Sequence, residues 1–209
     1  MFNVCPGCGE YSDDKEVIPL PTVAICPHCN YGSQFVMLPL FIVTGASGSG
    51  KTTVALKLAR QMKDVVVLDQ DILWNETFNA PDDNYKAFRN TWLRMAKNIN
   101  QAGRPVVLFG SAIPEQFESL NERRYIEKTH YLSLYCSPEE LTNRLKARPH
   151  WRKSDAEENL NSMLEFNNWL KQNAEKTEPK MSLLDTTETE ISGTVEAIQK
   201  WVEERLPKK

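Results

Sequence analysis

From residue 40 onward the chain alternates between two hydrophobic patterns. Short aliphatic and aromatic runs occupy 40–44, 65–68, 105–111, 129–135 and 180–184. Runs of this length bounded by small or turn-forming residues predict strands covered on both faces, as in a parallel sheet. Between them lie stretches whose apolar positions recur every three or four residues, which predicts helices. One begins near Lys51, one spans 84–101, one opens at Ser137-Pro138-Glu139-Glu140, one spans about 155–176 and the last about 190–205. Ser137 suits an N-cap, Pro138 the first helical position, and the two glutamates the positive end of the helix dipole. In the last helix, Ile191, Val195, Ile198, Val202 and Leu206 share one face. Alternating strands and helices predict an α/β domain.

The first 38 residues lack either pattern and contain two Cys-x-x-Cys pairs, Cys5/Cys8 and Cys26/Cys29, with seventeen residues between them. Pro6, Gly7 and Gly9 surround the first pair; Pro27, Asn30 and Gly32 surround the second. Two thiolates on a tight turn can grip one ion from the same side, and two facing knuckles complete the tetrahedral sulfur set that zinc prefers. Zinc would supply folding energy that so short a segment cannot draw from a core. The other readings are free thiols on unrelated turns, a redox pair, or another metal such as iron. His28 is read as filler, and Cys136 as a buried apolar residue at a strand end. Only Pro39 separates 35–38 from the next strand, so residues 1–38 are expected to pack on the domain formed by 39–209.

Composition narrows the class. The chain has 209 residues, 41% of them hydrophobic and 25% charged, with a formal net charge of −3. That balance disfavours a polyanion as the main ligand but permits a small anionic one. The longest apolar run, 35–44, is interrupted by Pro39 and is too short to span a bilayer. With no secretory signal pattern, a cytoplasmic location without membrane attachment is expected.

The candidate chemistry centres on Gly45-Ala46-Ser47-Gly48-Ser49-Gly50-Lys51-Thr52-Thr53, between the first predicted strand of the domain and its helix. This is G-x-x-x-x-G-K-[ST] in the context it requires: backbone amides wrap a phosphate, Lys51 reaches the β- and γ-phosphates, and Thr52 ligates magnesium. ATP and Mg²⁺ are therefore the expected cofactors. Asp69 and Asp71 follow the second strand, where ligands of open parallel sheets bind; one suits magnesium and the other an acceptor hydroxyl. Arg144 and Arg148 lie four apart, with Arg152 beyond Pro149; they suit charge neutralisation on a transferring phosphoryl group, or a solvated face paired with Glu139, Glu140 or Glu157. Arg89 and Arg94 on the 84–101 helix are expected beside the acceptor. Trp92 and Met95 are read as core.

From Leu40 on, the chain resembles the nucleoside and nucleoside-monophosphate kinase branch of the P-loop proteins, the group containing shikimate, gluconate and adenylate kinases. The resemblance rests on GASGSGKTT, on DQD after the second strand, on RLKARPHWR at the position of that group's lid, and on LLDTT before the last helix. It implies a three-layer fold with a five-stranded parallel sheet in the order 2-3-1-4-5. It also implies that Asp69 assists magnesium, Asp71 contacts the phosphoryl acceptor, and Arg144 or Arg148 stabilises transfer. The chain departs from many members in having Gly110-Ser111, with no acid until Glu115, after the third strand; this throws more weight on Asp69.

Two functions follow as expectations. The first is transfer of the ATP γ-phosphoryl group to a small molecule such as a nucleoside, a nucleotide or a similar hydroxyl compound. The second is a partner-regulated ATPase that uses the cysteine module as its contact.

Overall fold

The computed structural model describes residues 3–149 and 156–207. It contains two sheets. The smaller is antiparallel, with β1 (Glu16–Pro19), β2 (Thr22–Ile25) and β3 (Gly32–Gln34) in that order. The larger is wholly parallel and comprises β4 (Leu40–Gly45), β5 (Val66–Asp69), β6 (Val106–Phe109), β7 (Thr129–Tyr135) and β8 (Met181–Asp185). Its spatial order is β5-β6-β4-β7-β8, which is 2-3-1-4-5 when counted from β4.

Helices cover both faces. α1 (Lys51–Gln61) and α6 (Ile191–Glu203) pack on one; α2 (Lys86–Asn100) and α5 (Glu157–Asn173) pack on the other. The strand pleat explains the division. In β4, Phe41 and Val43 face Val54, Leu58, Val195 and Ile198, whereas Leu40 and Ile42 face Trp92, Leu93 and Leu170. All six residues of β4 are buried, which accounts for its unbroken apolar sequence. Two shorter helices, α3 (Glu115–Glu118) and α4 (Pro138–Lys146), follow β6 and β7. Ser137 caps α4 by accepting the Glu140 amide, with Pro138 in the first turn. Cys136 is buried, and buried Asn167 of α5 both accepts from its amide and donates to its carbonyl, pinning α5 to the end of β7.

The cysteine module is anchored to the larger sheet's helices. Phe35 packs edge-on against Tyr125 in a cluster with Ala24. Buried Glu122 accepts from Lys97 at 2.6 Å and from Arg94 at 3.0 Å, and Lys97 also donates to Asn3 at 2.7 Å. The Gln101 side chain bonds both backbone groups of Val36. Among the described residues, no helix is long and apolar enough to cross a membrane.

Candidate active site

β4 delivers the chain into the glycine-rich loop, and Gly50 turns it into α1. Gly48 and Gly50 both adopt the left-handed backbone region, with φ of 92° and 95°, where a side chain is strained. The first amides of α1 have no intrahelical acceptor and point into the loop, an arrangement suited to an anion. Lys51 folds back over the loop and donates to the carbonyls of Gly45 at 2.6 Å and Ala46 at 3.0 Å. Burial lowers its ammonium from 10.5 to about 8; Asp71 and Asp69 oppose the fall and the charge of Arg148 adds to it.

Thr52 donates to Asp69 Oδ2 at 3.0 Å, while Asp69 Oδ1 accepts the Asp71 amide at 3.0 Å. Asp69 thus caps the short turn Gln70–Leu73 and holds its second oxygen at the Thr52 hydroxyl. A hydroxyl and a carboxylate this close form an oxygen donor set that fits magnesium, which takes one or two protein oxygens and keeps water and phosphate for the rest.

Among the described residues several cavities border these side chains, and three of them bear on the chemistry. A small one of about 120 Å³ is lined by the loop, Asp69, Asp71, Ser111 and Arg148. Behind it, a cavity of about 440 Å³ runs from Gly48 and Thr53 to Arg144, Thr186, Thr189 and Ile191. On the opposite side, a cleft of about 670 Å³ is walled by Trp74, Tyr85, Phe88, Phe166 and Trp169, with Gln70 and Arg89 also lining it. Asp71 and Ser111 line both this cleft and the small cavity.

The arginines differ in position. Arg148 lines the small cavity and, together with Arg144, the cavity behind the loop. Arg144 is held by Glu140 at 2.7 Å and by the Thr186 carbonyl at 2.6 Å, so its guanidinium ties α4 to the segment after β8. Arg89 lines the aromatic cleft. Arg94, expected beside it, instead pairs with Glu122 and Asp13 on the cysteine-module side. Arg152 lies outside the described residues. Ile191, read as part of the apolar face of the last helix, is exposed and lines the cavity behind the loop.

The Sγ atoms of Cys5, Cys8, Cys26 and Cys29 all lie within 4.8 Å of one another. The Cys5–Cys29 and Cys8–Cys26 separations are 3.6 and 3.8 Å. A tetrahedral zinc site with metal–sulfur bonds of about 2.3 Å has edges of about 3.8 Å, so the spacing fits. The two knuckles repeat one backbone pattern. Cys5 N donates to Glu10 O and Gly9 N to Cys5 O, as Cys26 N does to Tyr31 O and Asn30 N to Cys26 O.

A family model described as an AAA domain matches residues 42–190, which begin inside β4 and carry the loop, both aspartates and the segment after β8. The chain belongs to the AAA domain family. The cysteine module and all of α6 lie outside the matched part of this AAA domain protein. No curated protein matches it in sequence. Solved structures share the fold of the AAA domain at low identity. A sugar kinase from Janibacter sp. HTCC2649 is 18% identical, with 80% of this chain and 95% of that one covered and a TM-score of 0.57. Shikimate kinase from Acinetobacter baumannii in complex with shikimate is 17% identical over 82% and 96%, with a TM-score of 0.52. YorR from Bacillus subtilis, in complex with phosphorylated GDP, is 17% identical over 78% and 95%, with a TM-score of 0.52. The AAA domain protein therefore has a P-loop kinase fold.

Sequence reasoning missed the aromatic wall of this AAA domain protein. Trp74, Phe78, Tyr85 and Phe88 fall within fifteen residues, a density that could have drawn attention. Gln70 was also missed. It lies against Gly110, where any Cβ would strike its side chain, so the glycine after β6 makes room for that amide.

Proposed function

We propose that the protein is an ATP- and magnesium-dependent kinase that phosphorylates a small molecule held in the aromatic cleft. The observation that carries this reading is the position of Asp71, which lines both the phosphate-sized cavity and the cleft. A donor bound on one side and an acceptor on the other would meet at its carboxylate, as a general base requires. The loop amides from Gly45 to Thr53 cradle the ATP phosphates, and Lys51 exchanges its loop carbonyls for the β- and γ-phosphate oxygens. Thr52 and Asp69 would hold Mg²⁺, which would supply charge neutralisation on the transferring group. Asp71 accepts the proton of the attacking hydroxyl, and Arg148 stabilises charge on the phosphoryl oxygens. Arg144 serves by position, bracing a wall of the cavity behind the loop.

Residues 1–38 form, in this reading, a structural zinc unit in which Cys5, Cys8, Cys26 and Cys29 fill all four ligand positions. The sugar kinase and the shikimate kinase among the structural neighbours support a small acceptor. A second reading, an ATPase gated by a partner, draws on Tyr11, Leu20 and Tyr31, exposed apolar side chains on the cysteine module. The test is ADP release by zinc-loaded protein with Mg·ATP, with and without pooled nucleosides, nucleotides, sugars and hydroxy acids. Acceptor-dependent release supports the kinase. Release insensitive to every pool, with ATP still bound, supports the gated ATPase.

A further inference from the structure

The two ends of α2 have different neighbours. Tyr85, Phe88 and Arg89, at its start, line the aromatic cleft. Arg94, Lys97 and the C-capping Gln101 recur three and four residues apart, so they share one stripe of its second half. All three reach the cysteine module. Arg94 meets Asp13 at 3.5 Å, and Lys97 donates to Asn3 Oδ1 at 2.7 Å. Gln101 accepts the Val36 amide at 3.0 Å and donates to the Val36 carbonyl at 3.1 Å. The short turn Asn121–Tyr125 adds to this grip, since Arg124 donates to the Asp13 carbonyl and Tyr125 packs on Phe35. Arg89 and Phe88 lie about 120–140° round the helix from Arg94, so one rod carries the cleft wall on one side and the module on another.

The cleft end of α2 has little of its own to fix it. Its N-cap, Tyr85, makes no side-chain cap, and no acidic residue occupies the first turn. Asn84 and Tyr85 enter through the left-handed backbone region, at φ of 50° and 53°, a strain that persists only where the surrounding structure imposes it. The Asn84 side chain accepts from Gln116 at 2.9 Å, on an exposed surface. The three short turns of 70–83 in turn rest on this end of the helix: Trp74 and Phe78 each lie 5.3 Å from Phe88 between ring centroids. A helix moves as a rigid element, so a shift at Lys97 carries Phe88, about 14 Å along the axis, with it.

We propose that the cysteine module positions the acceptor side of the site: by gripping α2 at Arg94, Lys97 and Gln101, it fixes where Tyr85, Phe88 and Arg89 stand in the cleft. Calling that side the acceptor's rests on the kinase reading; the mechanical link between module and cleft does not. Lys97 and Gln101 are positioning residues, which act on the cleft through the helix. Zinc held by the four cysteines would keep the module in the shape that presents Asn3, Asp13 and Val36, and so would govern the cleft from a distance. The nucleotide side is outside this grip, because α1 and α6 pack on the opposite face of the larger sheet. The family match begins at residue 42, so the device belongs to this chain's own N-terminal segment.

The test is amide hydrogen exchange read by mass spectrometry on the full chain prepared with zinc, without nucleotide or acceptor. It compares the parent with Gln101→Ala and Cys8→Ser. Gln101 is exposed, so its truncation opens no core while removing both bonds to Val36. In Gln101→Ala the amides of 70–93 should exchange about threefold to tenfold faster, the opening that one or two lost hydrogen bonds produce. In Cys8→Ser they should exchange faster still. Gln101→Glu, which keeps the bond from the Val36 amide, should fall between Gln101→Ala and the parent. Amides of α1 and α6 should keep parent rates, and Gln101→Ala should bind Mg·ATP as the parent does. Faster exchange confined to 1–38 and 94–104, with 70–93 at parent rates, would overturn the proposal. So would a rise spread equally over α1 and α6, which is general loosening. Gln101→Ala alone decides the matter if Cys8→Ser does not fold. Because neither ATP nor acceptor enters the exchange measurement, ATP turnover insensitive to every added compound would count against the kinase reading alone.

Discussion

Glu122 grips Lys97 and Arg94, the two α2 cations that reach Asn3 and Asp13 of the cysteine module, and removing its carboxylate tests whether that junction is an energetic unit. The residue is 2% exposed and accepts from Lys97, itself 1% exposed, at 2.6 Å, and from Arg94 at 3.0 Å. Glu122→Ala would take away the carboxylate that Lys97 contacts at 2.6 Å, leaving Asn3 Oδ1 at 2.7 Å and the Tyr125 ring at 4.3 Å among the remaining contacts of a buried ammonium. Removing one member of a buried pair costs about 3–5 kcal/mol. In a chain of this size each kcal/mol is worth roughly 2–4 °C of melting temperature, so the drop should be about 6–20 °C. Lys97→Met should cost less, because its apolar stem is kept and Glu122 retains Arg94, whose half-exposed side chain shares the load with water. Adding Lys97→Met to Glu122→Ala should recover part of the loss, since the buried cation then goes with its carboxylate. Thermal unfolding of the three zinc-loaded variants measures all of this. A Glu122→Ala melting point within about 2 °C of the parent, or a double variant worse than the two singles combined, would refute the reasoning.

Three further outcomes are expected. ATP affinity should fall as pH rises through about 8, because burial depresses Lys51 to about 8 and phosphate binding needs the charged form; nucleotide titrations between neutral and alkaline pH should show it, and Lys51→Arg should flatten the profile. Asp71→Asn should leave ATP affinity close to that of the parent while lowering turnover by about 10²–10⁴-fold; equal loss of ATP binding in Asp71→Asn and Lys51→Ala would contradict the separate roles given to these residues. Chelation should release one zinc ion per chain and lower the melting temperature, and Cys26→Ser should do the same without chelator; metal-free protein with unchanged melting would remove zinc from the account.

Much of the larger sheet was legible because strands buried on both faces need no alternation and stand out as apolar runs. The run at 129–135 coincides with β7, and Ser137-Pro138 marked the start of α4. The glycine loop was legible because its spacing encodes a backbone shape. The acceptor side was not. Residues 70–83 form three successive short turns, Gln70–Leu73, Glu76–Phe78 and Pro81–Asp83, too brief for any period to show. Arg89 and Arg94 were grouped by charge, yet five positions on an α-helix put them about 140° apart, so one faces the cleft and the other the module. Arg144 and Arg148 both line the cavity behind the loop, although the helix that holds Arg144 ends at Lys146. The three strands of the cysteine module had no apolar pattern to read; their geometry follows the two knuckles instead.

The central claim is that a phosphoryl group leaves ATP for a small molecule in the aromatic cleft. The most direct measurement is mass spectrometry of the small-molecule fraction after zinc-loaded protein with magnesium has turned over ATP carrying heavy oxygen on its γ-phosphate, with the pooled nucleosides, nucleotides, sugars and hydroxy acids present. The account predicts one new compound bearing the labelled phosphoryl group, formed in step with ADP and absent with Asp71→Asn. Labelled inorganic phosphate as the sole product, at a rate no added compound changes, would contradict it.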